Sequence, residues 1–262
     1  MEEPEYEYWG LIASSWDLLR GDTSDWGDRH RYRELIAQYG QPALDVGCGT
    51  GRLLLDYLGA GIDVDGVDNS PEMLARCRAK AEQLGLHPTL YQQQMETLEL
   101  PRRYRTILVP SSSFQLVTDA DAAAAAMRRF LVHLEPGGAV AMSFMALWEE
   151  GDPLETPWRM VAERVRPGDG ALVRRWGRSR YEPDRQLEHT EDRYEVVRDG
   201  EVIAEEMHRR SPATREYTHA QVRDLYEGAG FVDVRLFREW SATPASAADA
   251  IVVAVGTKAA PD

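Results

Sequence analysis

Apolar runs of strand length alternate with amphipathic segments of helix length between about residues 30 and 146. Strands that are buried on both faces have short continuous apolar runs, whereas helices repeat their apolar residues every three to four positions. The pattern predicts strands at about 42–46, 63–67, 88–92, 105–109 and 139–145. It predicts helices at about 28–39, 52–58, 71–84 and 119–134. This alternation is typical of a parallel sheet with helices on its faces.

The pattern changes after residue 147. Three segments alternate polar and apolar residues, which is typical of strands with one exposed face; they span 171–181, 186–197 and 202–211. The dipeptide Asp199-Gly200 between the last two is a hairpin signal. A helix from Thr218 to Glu227 and strands at 232–238 and 248–256 then resume the first pattern. We therefore predict a core of residues 1–147 and 216–262 and an inserted antiparallel sheet at 148–215.

A glycine-rich loop follows the first predicted strand, in the stretch Leu44-Asp45-Val46-Gly47-Cys48-Gly49-Thr50-Gly51. Glycine tolerates positive φ and lets a ligand approach the backbone, and the helix N-terminus behind the loop is typical of a nucleotide or nucleoside site. A dinucleotide site has the spacing G-x-G-x-x-G, but here the spacing is G-x-G-x-G. The Asp45 carboxylate would repel a pyrophosphate and attract an ammonium group. The pattern therefore favours S-adenosylmethionine over a nicotinamide dinucleotide.

A second acidic residue, Asp68, lies at the end of the second predicted strand, about 20 residues beyond the loop. A carboxylate at this position can accept hydrogen bonds from both ribose hydroxyls of a nucleoside. Ser70 and Pro71 then predict a helix start, with Ser as the N-cap and Pro at the first position. The spacing of loop and acid strengthens the prediction of a nucleoside site.

The stretches LDVGCGTGR and GVDNSPEML resemble those of class I S-adenosylmethionine-dependent methyltransferases. The resemblance implies an α/β fold with a seven-stranded Rossmann-like sheet of strand order 3-2-1-4-5-7-6, strand 7 antiparallel, and an antiparallel β insert after strand 5. It implies S-adenosylmethionine as cofactor, S-adenosylhomocysteine as product, and no metal. The residues that it assigns to the cofactor are Trp16, Asp45, Gly47, Cys48, Gly49, Gly51, Asp68, Asn69, Met73, Gln94, Met95, Glu96, Pro110 and Ser111.

The segment Leu90–Met95 resembles the third strand of this family and the loop that contacts adenine. The family often has an Asp in that loop, where this chain has Gln94. The amide oxygen of Gln can accept the same hydrogen bond from the adenine amino group. The backbone N–H of Met95 or Glu96 would then face the ring nitrogen.

The loop after the fourth predicted strand, Pro110-Ser111-Ser112-Ser113-Phe114-Gln115, resembles the G-N-S-F-x-H loop of glycine N-methyltransferase and related small-molecule enzymes. Ser113 and Phe114 match, whereas Leu116 replaces the His. The D/N-P-P-Y/F loop of enzymes that methylate amino groups of DNA bases is absent. The resemblance makes Ser113 a catalytic candidate, and Ser112 and Gln115 are candidates for orienting a polar substrate.

The N-terminal stretch Trp16-Asp17-Leu18-Leu19-Arg20-Gly21-Asp22-Thr23 resembles the W-x-x-x-x-G-D-T of the same family. The resemblance implies that residues 1–27 are a flap that closes over the cofactor, with Trp16 near the methionine portion. Packing of an N-terminal helix is the alternative role for Trp16. The Arg that often follows is missing, so that carboxylate binding would fall to Arg29 or Arg31 or be absent.

The inserted segment at 148–215 resembles the insert of sugar N-methyltransferases, which often forms a substrate lid or a dimer interface. We therefore expect a possible homodimer through this insert. Arg174, Arg175, Arg178 and Arg180 could bind an acidic substrate, but the solvated face of strands is the favoured interpretation. Trp148 is a candidate for an aromatic wall of the substrate site.

The charge and the cysteine content of the chain limit the kinds of partner and metal that it is expected to bind. The net charge of −14 and the pI near 4.9 argue against sequence-independent nucleic-acid binding, which needs a basic face. The two cysteines, Cys48 and Cys77, lack metal-site spacing. No signal peptide or membrane-spanning run is recognisable, and we expect a cytoplasmic protein without membrane partners.

Methyl transfer from a sulfonium is an SN2 displacement with an excellent leaving group, so that the enzyme mainly has to align the reactants and exclude water. A general base is needed only when the nucleophile arrives protonated, and the candidates are His208, His219 and Tyr8. We predict methyl transfer to N or O of a small molecule. The alternatives are a protein or RNA methyltransferase and a non-catalytic module that binds S-adenosylmethionine.

Overall fold

The computed structural model describes Pro4 and residues 6–260, and the contacts within it divide the chain into two units. The core unit comprises Trp26–Ala146 and the chain from Glu216 onward. The insert unit comprises the described residues up to Asp25 and Leu147–Arg215. The predicted boundaries after residues 147 and 215 and the predicted flap at 1–27 remain predictions.

Between residues 28 and 145 the helices and strands alternate as predicted. The helices are α1 (Gly10–Arg20), α2 (Asp28–Tyr39), α3 (Leu54–Gly59), α4 (Pro71–Leu84), α5 (Ala120–His133) and α6 (His219–Ala229). The strands are β1 (Ala43–Val46), β2 (Val64–Asp68), β3 (Leu90–Gln92), β4 (Tyr104–Val109), β5 (Leu134–Met145), β6 (Arg159–Val165), β7 (Leu172–Glu182), β8 (Leu187–Arg198), β9 (Glu201–Arg215), β10 (Val232–Arg238) and β11 (Ile251–Thr257).

The core unit contains a seven-stranded sheet of order β10-β11-β5-β4-β1-β2-β3. Strand β11 runs antiparallel to both of its neighbours, β5 and β10, whereas the other neighbouring strands are parallel. This is the predicted strand order with the predicted antiparallel strand, and the fold class is thereby confirmed. The carboxyl ends of β1, β2 and β4 lie side by side, where open α/β sheets bind their ligands.

Both faces of this sheet are buried under apolar side chains. Neighbouring residues along a strand belong to different apolar clusters: Leu44 and Ile107 lie in one, and Ala43 and Leu108 lie in the other. Successive side chains of a strand point to opposite faces, so that a helix-covered sheet requires apolar residues at every position. This explains why the core strands were recognisable as continuous apolar runs.

Helix ends in the core unit follow the local signals of the sequence. The Ser70 hydroxyl accepts from the Met73 N–H at the start of α4, and Gly85 ends that helix in the left-handed region. Thr218 and Gln221 form a capping box at the start of α6. The caps fix α4 directly behind Asp68 at the end of β2.

The insert unit contains a four-stranded antiparallel sheet of order β6-β7-β8-β9. Asp199 and Gly200, with φ of 53° and 83°, form the predicted turn between β8 and β9. Strand β6 was not predicted, because its edge position leaves most of its side chains exposed and mixes charged with apolar residues. Strand β5 is also longer than the predicted strand at 139–145, since it begins at Leu134.

Helix α1 packs within the insert unit through its apolar side. Leu11, Leu18 and Leu19 contact a small cluster formed by Ala171, Val173 and Val196 of the inserted sheet. The N-terminal residues thus find their partners about 150 positions along the chain. No described helix is both long and apolar enough to cross a membrane.

Candidate functional site

The glycine loop leaves β1 through three residues in the left-handed region. Gly47, Gly49 and Gly51 have φ of 72°, 56° and 85°, a conformation that is costly for residues with a Cβ. A Cβ at Gly47 would lie 2.9 Å from the Ser113 Oγ, whereas a Cβ at Gly49 would meet only the Met73 Cε at 3.6 Å. The loop is therefore packed at its first glycine and open at its second.

Asp68 fixes the open part of this loop. Its Oδ2 accepts from the Gly49 N–H at 2.8 Å, and its Oδ1 accepts from the Ser70 N–H at 2.9 Å. A carboxylate oxygen has two lone pairs, so each can accept a second hydrogen bond from a ribose hydroxyl. The two cofactor motifs of the sequence are thus joined by one buried side chain. Asn69 beside it is half-buried, and Met73 is buried below Gly49.

Asp45 lies at the base of the loop with an unpartnered oxygen. Its side chain is 1% exposed, and no described residue forms a hydrogen bond with Oδ1. Burial raises the pKa of Asp45 to about 7; the Arg52 guanidinium opposes the shift, and the neighbouring carboxylates Asp68 and Asp28 reinforce it. A buried carboxylate of this kind suits a cationic group of a ligand. The glycine-rich backbone, the acid predicted to bind the ribose and the acid predicted to receive the ammonium group together fit S-adenosylmethionine.

Arg52 follows the glycine loop directly and was missed as a site residue. Its Nη1 and Nη2 donate to the two oxygens of Asp28 in a bidentate pair, the first at 2.9 Å. The guanidinium also lies 5.0 Å from the centre of the Trp26 ring and 3.5 Å from the Ser111 Oγ. Its place directly after the last glycine was the available signal. Because Asp28 already uses both Nη groups, Arg52 neutralises Asp45 only in part.

The two arginines expected to bind a carboxylate are engaged elsewhere. Arg29 pairs with Asp56 at 2.7 Å. Arg31 pairs with Glu34 at 3.1 Å and lies over the Phe237 ring at 5.0 Å. Their guanidinium groups therefore stabilise α2 against its neighbours.

The loop after β4 adjoins the glycine loop. Ser111 and Ser112 both lie in the left-handed region, with φ of 55° and 56°, and the Ser112 N–H donates to the Ser143 Oγ at 2.8 Å. Such strain in residues other than glycine is concentrated at functional sites. The Ser113 Oγ donates to the Pro110 carbonyl at 2.7 Å. The strained loop presents Pro110–Ser113 beside Gly47.

Gln115 supports this loop from inside. Its amide nitrogen donates to the Met145 carbonyl at 3.0 Å, and its amide oxygen accepts from the Met145 N–H at 2.8 Å. The side chain is fully buried. Contact between Gln115 and a substrate thus remains a prediction, while its bonds tie the loop to the end of β5.

The predicted adenine-binding residues follow β3. The Met95 side chain is half-buried and reaches the vicinity of Gly47, where a Cβ would meet its Cε at 3.8 Å. Gln94 is exposed and Glu96 is half-buried. The structure thereby brings Met95, Gly47 and Ser113 together, and the hydrogen bonds to adenine remain predictions.

Four further predicted residues, Tyr8, Trp16, Trp148 and His208, belong to the insert unit, whereas His219 begins α6 in the core unit. Tyr8 contacts Trp16 edge-on, with ring centres 4.8 Å apart. His208 is 4% exposed and packs against Trp9, 4.2 Å between ring centres. Trp148 stacks on Tyr181 at 5.5 Å. Their contributions to catalysis or to cofactor and substrate binding remain predictions.

His208 and Glu206 form a dyad that also holds α1. The Glu206 Oε2 accepts from the Leu11 N–H at 2.5 Å and lies 3.2 Å from the His208 Nε2. Burial lowers the pKa of His208, and the nearby Glu206 carboxylate opposes that shift. The ring is therefore held mostly neutral near pH 7, in the form that can accept a proton.

The four arginines that the sequence analysis singled out in the inserted sheet are all paired with acidic residues, Arg175 with Asp192 at 2.8 Å. Arg174 pairs with Glu163 at 2.6 Å and Arg178 with Glu191 at 2.7 Å. Arg180 likewise pairs with Glu182. These pairs agree with the interpretation of a solvated strand face. Among the described residues, no cluster of three His, Cys, Asp or Glu side chains could hold a metal ion.

Comparison with known proteins identifies a methyltransferase domain within the core unit. A family model described as a methyltransferase domain matches residues 43–138. A dTDP-3-amino-3,6-dideoxy-alpha-D-glucopyranose N,N-dimethyltransferase of Streptomyces fradiae is 29% identical over 218 residues, which cover 74% of this chain and 80% of that protein. A dTDP-3-amino-3,4,6-trideoxy-alpha-D-glucopyranose N,N-dimethyltransferase of Streptomyces venezuelae is 30% identical over 140 residues, half of this chain. The chain spans little more than half, 57%, of that relative's length.

The fold is shared with solved structures over nearly the whole chain. The sugar N-methyltransferase KedS8 from Streptoalloteichus sp ATCC 53650 matches with a TM-score of 0.72 at 20% identity, covering 99% of this chain and 96% of that one. At this identity the likeness concerns the fold. The matched domain, the strand order and the glycine loop with its two acids agree with one another. Residues 43–138 of the chain therefore match a methyltransferase domain, and the chain has the class I methyltransferase fold.

Proposed function

We propose that this protein transfers a methyl group from S-adenosylmethionine to a nitrogen atom of a small-molecule amine. The observation that carries the cofactor assignment is the buried Asp45 oxygen without a partner at the base of an open glycine loop. The acceptor class is supported by two relatives, which are named as N,N-dimethyltransferases of amino sugars. Methyl transfer to an oxygen atom of a small molecule would follow the same reaction and is the alternative acceptor chemistry.

The core unit supplies groups that match each part of the cofactor. Asp45 would hold the ammonium group, and the backbone of Gly47–Gly49 would lie against the nucleoside. Asp68, which Gly49 and Ser70 already orient, would accept from the ribose hydroxyls. Gln94 and the N–H groups of Met95 and Glu96 would bind the adenine edge.

When bound, the cofactor would supply a methyl group on a sulfonium, which is itself a good leaving group. The residues then have to orient an acceptor in line with that methyl group and to exclude water. An amine that arrives protonated has to lose a proton before it can act as a nucleophile. The neutral His208 ring is the favoured acceptor of that proton, with Tyr8 as the second candidate.

Calorimetry with S-adenosylhomocysteine and with NAD tests the cofactor assignment. We expect S-adenosylhomocysteine to bind and NAD to give no heat. Asp45→Asn should weaken the binding, whereas Asp63→Asn should leave it unchanged, because Asp63 is an exposed residue that pairs with Arg102. Binding of NAD without binding of S-adenosylhomocysteine would contradict the proposal.

Turnover with isotopically labelled S-adenosylmethionine tests the acceptor class. We expect label to enter free or nucleotide-linked amino sugars and other small amines, detected by mass spectrometry. A label found only in added protein or RNA would replace the proposed acceptor class. Binding of the cofactor without transfer to any acceptor would indicate a non-catalytic module.

A further inference from the structure

The methionine portion of S-adenosylmethionine carries two opposite charges, an ammonium group and a carboxylate, on the same carbon atom. If Asp45 receives the ammonium group, the carboxylate has to lie close to Asp45 as well. A carboxylate taken out of water is costly unless a cation or several donors receive it. Arg29 and Arg31, the two arginines expected for this purpose, pair with Asp56 and Glu34 instead.

Arg52 is a cation that lies beside Asp45. Burial raises the pKa of Asp45, and the Arg52 guanidinium is the main group that opposes this shift. Asp45 belongs to β1, which leads into the glycine loop, and Arg52 directly follows Gly51, the last glycine of that loop. The acid and the arginine therefore flank the loop at its two ends.

An acid and an aromatic ring hold the Arg52 guanidinium in place. Its Nη1 donates to the Asp28 Oδ1 at 2.9 Å, and its Nη2 donates to the Asp28 Oδ2. The centre of the Trp26 ring lies 5.0 Å from the guanidinium carbon. A bidentate pair and a ring fix the plane of a guanidinium, so that it loses little further freedom when an anion binds.

The same guanidinium keeps donors for a second anion. It has five N–H groups, and its contacts with Asp28 and with the Ser111 Oγ use three of them among the described residues. The Arg52 side chain is 13% exposed, whereas that of Asp28 is 2% exposed. The buried acid thus orients the arginine and leaves one edge of it accessible.

We infer that Arg52, oriented by Asp28 and Trp26, binds the carboxylate of the methionine portion of S-adenosylmethionine. Asp45, the ammonium group, the carboxylate, Arg52 and Asp28 would then form a row of alternating charge. The inference rests on the proposed function, because it concerns the cofactor of the same methyl transfer. It assigns the carboxylate to an arginine that was not among the residues predicted for it.

Calorimetry with two probes tests the inference. S-adenosylhomocysteine has the ammonium group and the carboxylate, whereas decarboxylated S-adenosylhomocysteine keeps the ammonium group and lacks the carboxylate. Arg52→Gln should lower the ratio of the two affinities about 10- to 100-fold, by loss of charge-assisted hydrogen bonds to the carboxylate. A change in the charge of Asp45 affects the ammonium group of both probes and cancels in the ratio.

Arg102→Gln is the matched control. Arg102 donates to both oxygens of Asp63, at 3.2 and 2.6 Å, and lies 5.5 Å from the centre of the Tyr104 ring. It therefore repeats the ion pair and the aromatic contact of Arg52. Asp63 precedes β2 and Tyr104 begins β4, so that this pair lies at the ends of the parallel strands remote from the glycine loop. The ratio should be unchanged in this variant.

Two further variants keep the test valid where Arg52→Gln lowers stability by leaving Asp28 buried without its cation. Asp28→Asn combined with Arg52→Gln removes both charges and should show the same fall in the ratio. Arg52→Lys keeps a positive charge without the planar fork and should recover part of the ratio. An ion pair that only stabilised the fold would leave the ratio unchanged in all of these variants.

The inference and the proposed function fail in different ways. A wild type that binds neither probe contradicts both. A wild type that binds S-adenosylhomocysteine, with an unchanged ratio in Arg52→Gln and in the double variant, leaves the proposed function intact and overturns the inference. An equal fall in Arg102→Gln would overturn it as well, because the effect would then not depend on the place of Arg52.

Discussion

The core unit and the insert unit hold their polar side chains in different ways. In the core unit, side chains at the strand ends bond to the backbone: Asp68 to Gly49 and Ser70, and Gln115 to Met145. In the insert unit, charged side chains mainly bond to other side chains, as in the pairs Arg174 with Glu163 and Arg178 with Glu191. Backbone partners are present whatever the neighbouring residue is, whereas a side-chain partner has to be encoded separately.

This difference explains why the recognisable sequence motifs lie in the core unit. A loop that is held by backbone N–H groups constrains the residue at each position, because glycine tolerates the positive φ values at the lowest cost and a carboxylate offers two oxygens that can each accept from a different N–H group. A sheet face that is held by ion pairs can exchange both partners and keep its shape. We expect single substitutions to lower stability or affinity more in the core unit than in the insert unit.

Gly51→Ala should produce the largest loss of stability and tests how tightly the glycine loop is packed. The new Cβ would lie 2.6 Å from the Cys77 Sγ and 2.8 Å from the Leu55 Cγ, at a φ of 85°. Overpacking and left-handed strain together should lower the free energy of unfolding by about 3 kcal/mol, measured by urea denaturation. Gly49→Ala is the control for strain, because its Cβ has room; it should reduce stability by about 1 kcal/mol. Equal losses would show that packing is not the cause.

Asp68→Ala tests the link between the two cofactor motifs. It removes the acceptor for the Gly49 N–H and the hydrogen bonds proposed to the ribose, so that S-adenosylhomocysteine should bind more weakly by about 1–3 kcal/mol. Calorimetry measures the change directly. An unchanged affinity would mean that the loop is positioned without this carboxylate.

The pH dependence of cofactor affinity tests the role of Asp45. A protonated Asp45 cannot form an ion pair with an ammonium group. Its pKa of about 7 places this protonation in a pH range at which affinity can be measured. The affinity for S-adenosylhomocysteine should therefore fall as the pH is lowered below 7, by up to about tenfold or 1.4 kcal/mol per unit. Above pH 7 it should level off. Asp45→Asn should bind weakly and without this slope; a slope that persists in the variant would assign the proton to another group.

Glu206→Ala should have the smallest effect and tests the mild response of the insert unit. Its carboxylate accepts from the Leu11 N–H near the start of α1, a capping contact worth about 1 kcal/mol. Thermal unfolding should show a small decrease in stability. Glu205→Ala is the matched control, because Glu205 is exposed on the same strand. A loss well above 2 kcal/mol would show that the two units do not differ as argued.

The sequence predicted the core unit closely because its signals are local. Gly85 and the Thr218 cap end or begin helices by backbone geometry, and the continuous apolar runs follow from a sheet buried on both faces. Strand β6 was not predicted, because an exposed edge strand does not require apolar residues at alternate positions.

The residues of the candidate site that belong to sequence motifs were predicted. Asp45, Asp68 and the three glycines meet as expected from their spacing. The position of Arg52 after the last glycine was a signal, but its partners Asp28 and Trp26 could not be predicted because they come from a separate part of the chain. The Thr190 and Arg210 side chains each have a buried polar atom without a hydrogen bond, which depends on strand register and burial and is not visible in the sequence.

The hydrogen bond between Leu11 and Glu206 joins residues 195 positions apart. During synthesis at about 5–20 residues per second, the N-terminal helix would wait roughly 10–40 seconds for its partner strand to leave the ribosome. Helix α1 therefore docks long after it has been made. Its leucines are meanwhile a surface that a chaperone can bind, and polar substitutions of these leucines would disturb the inserted sheet on which they pack.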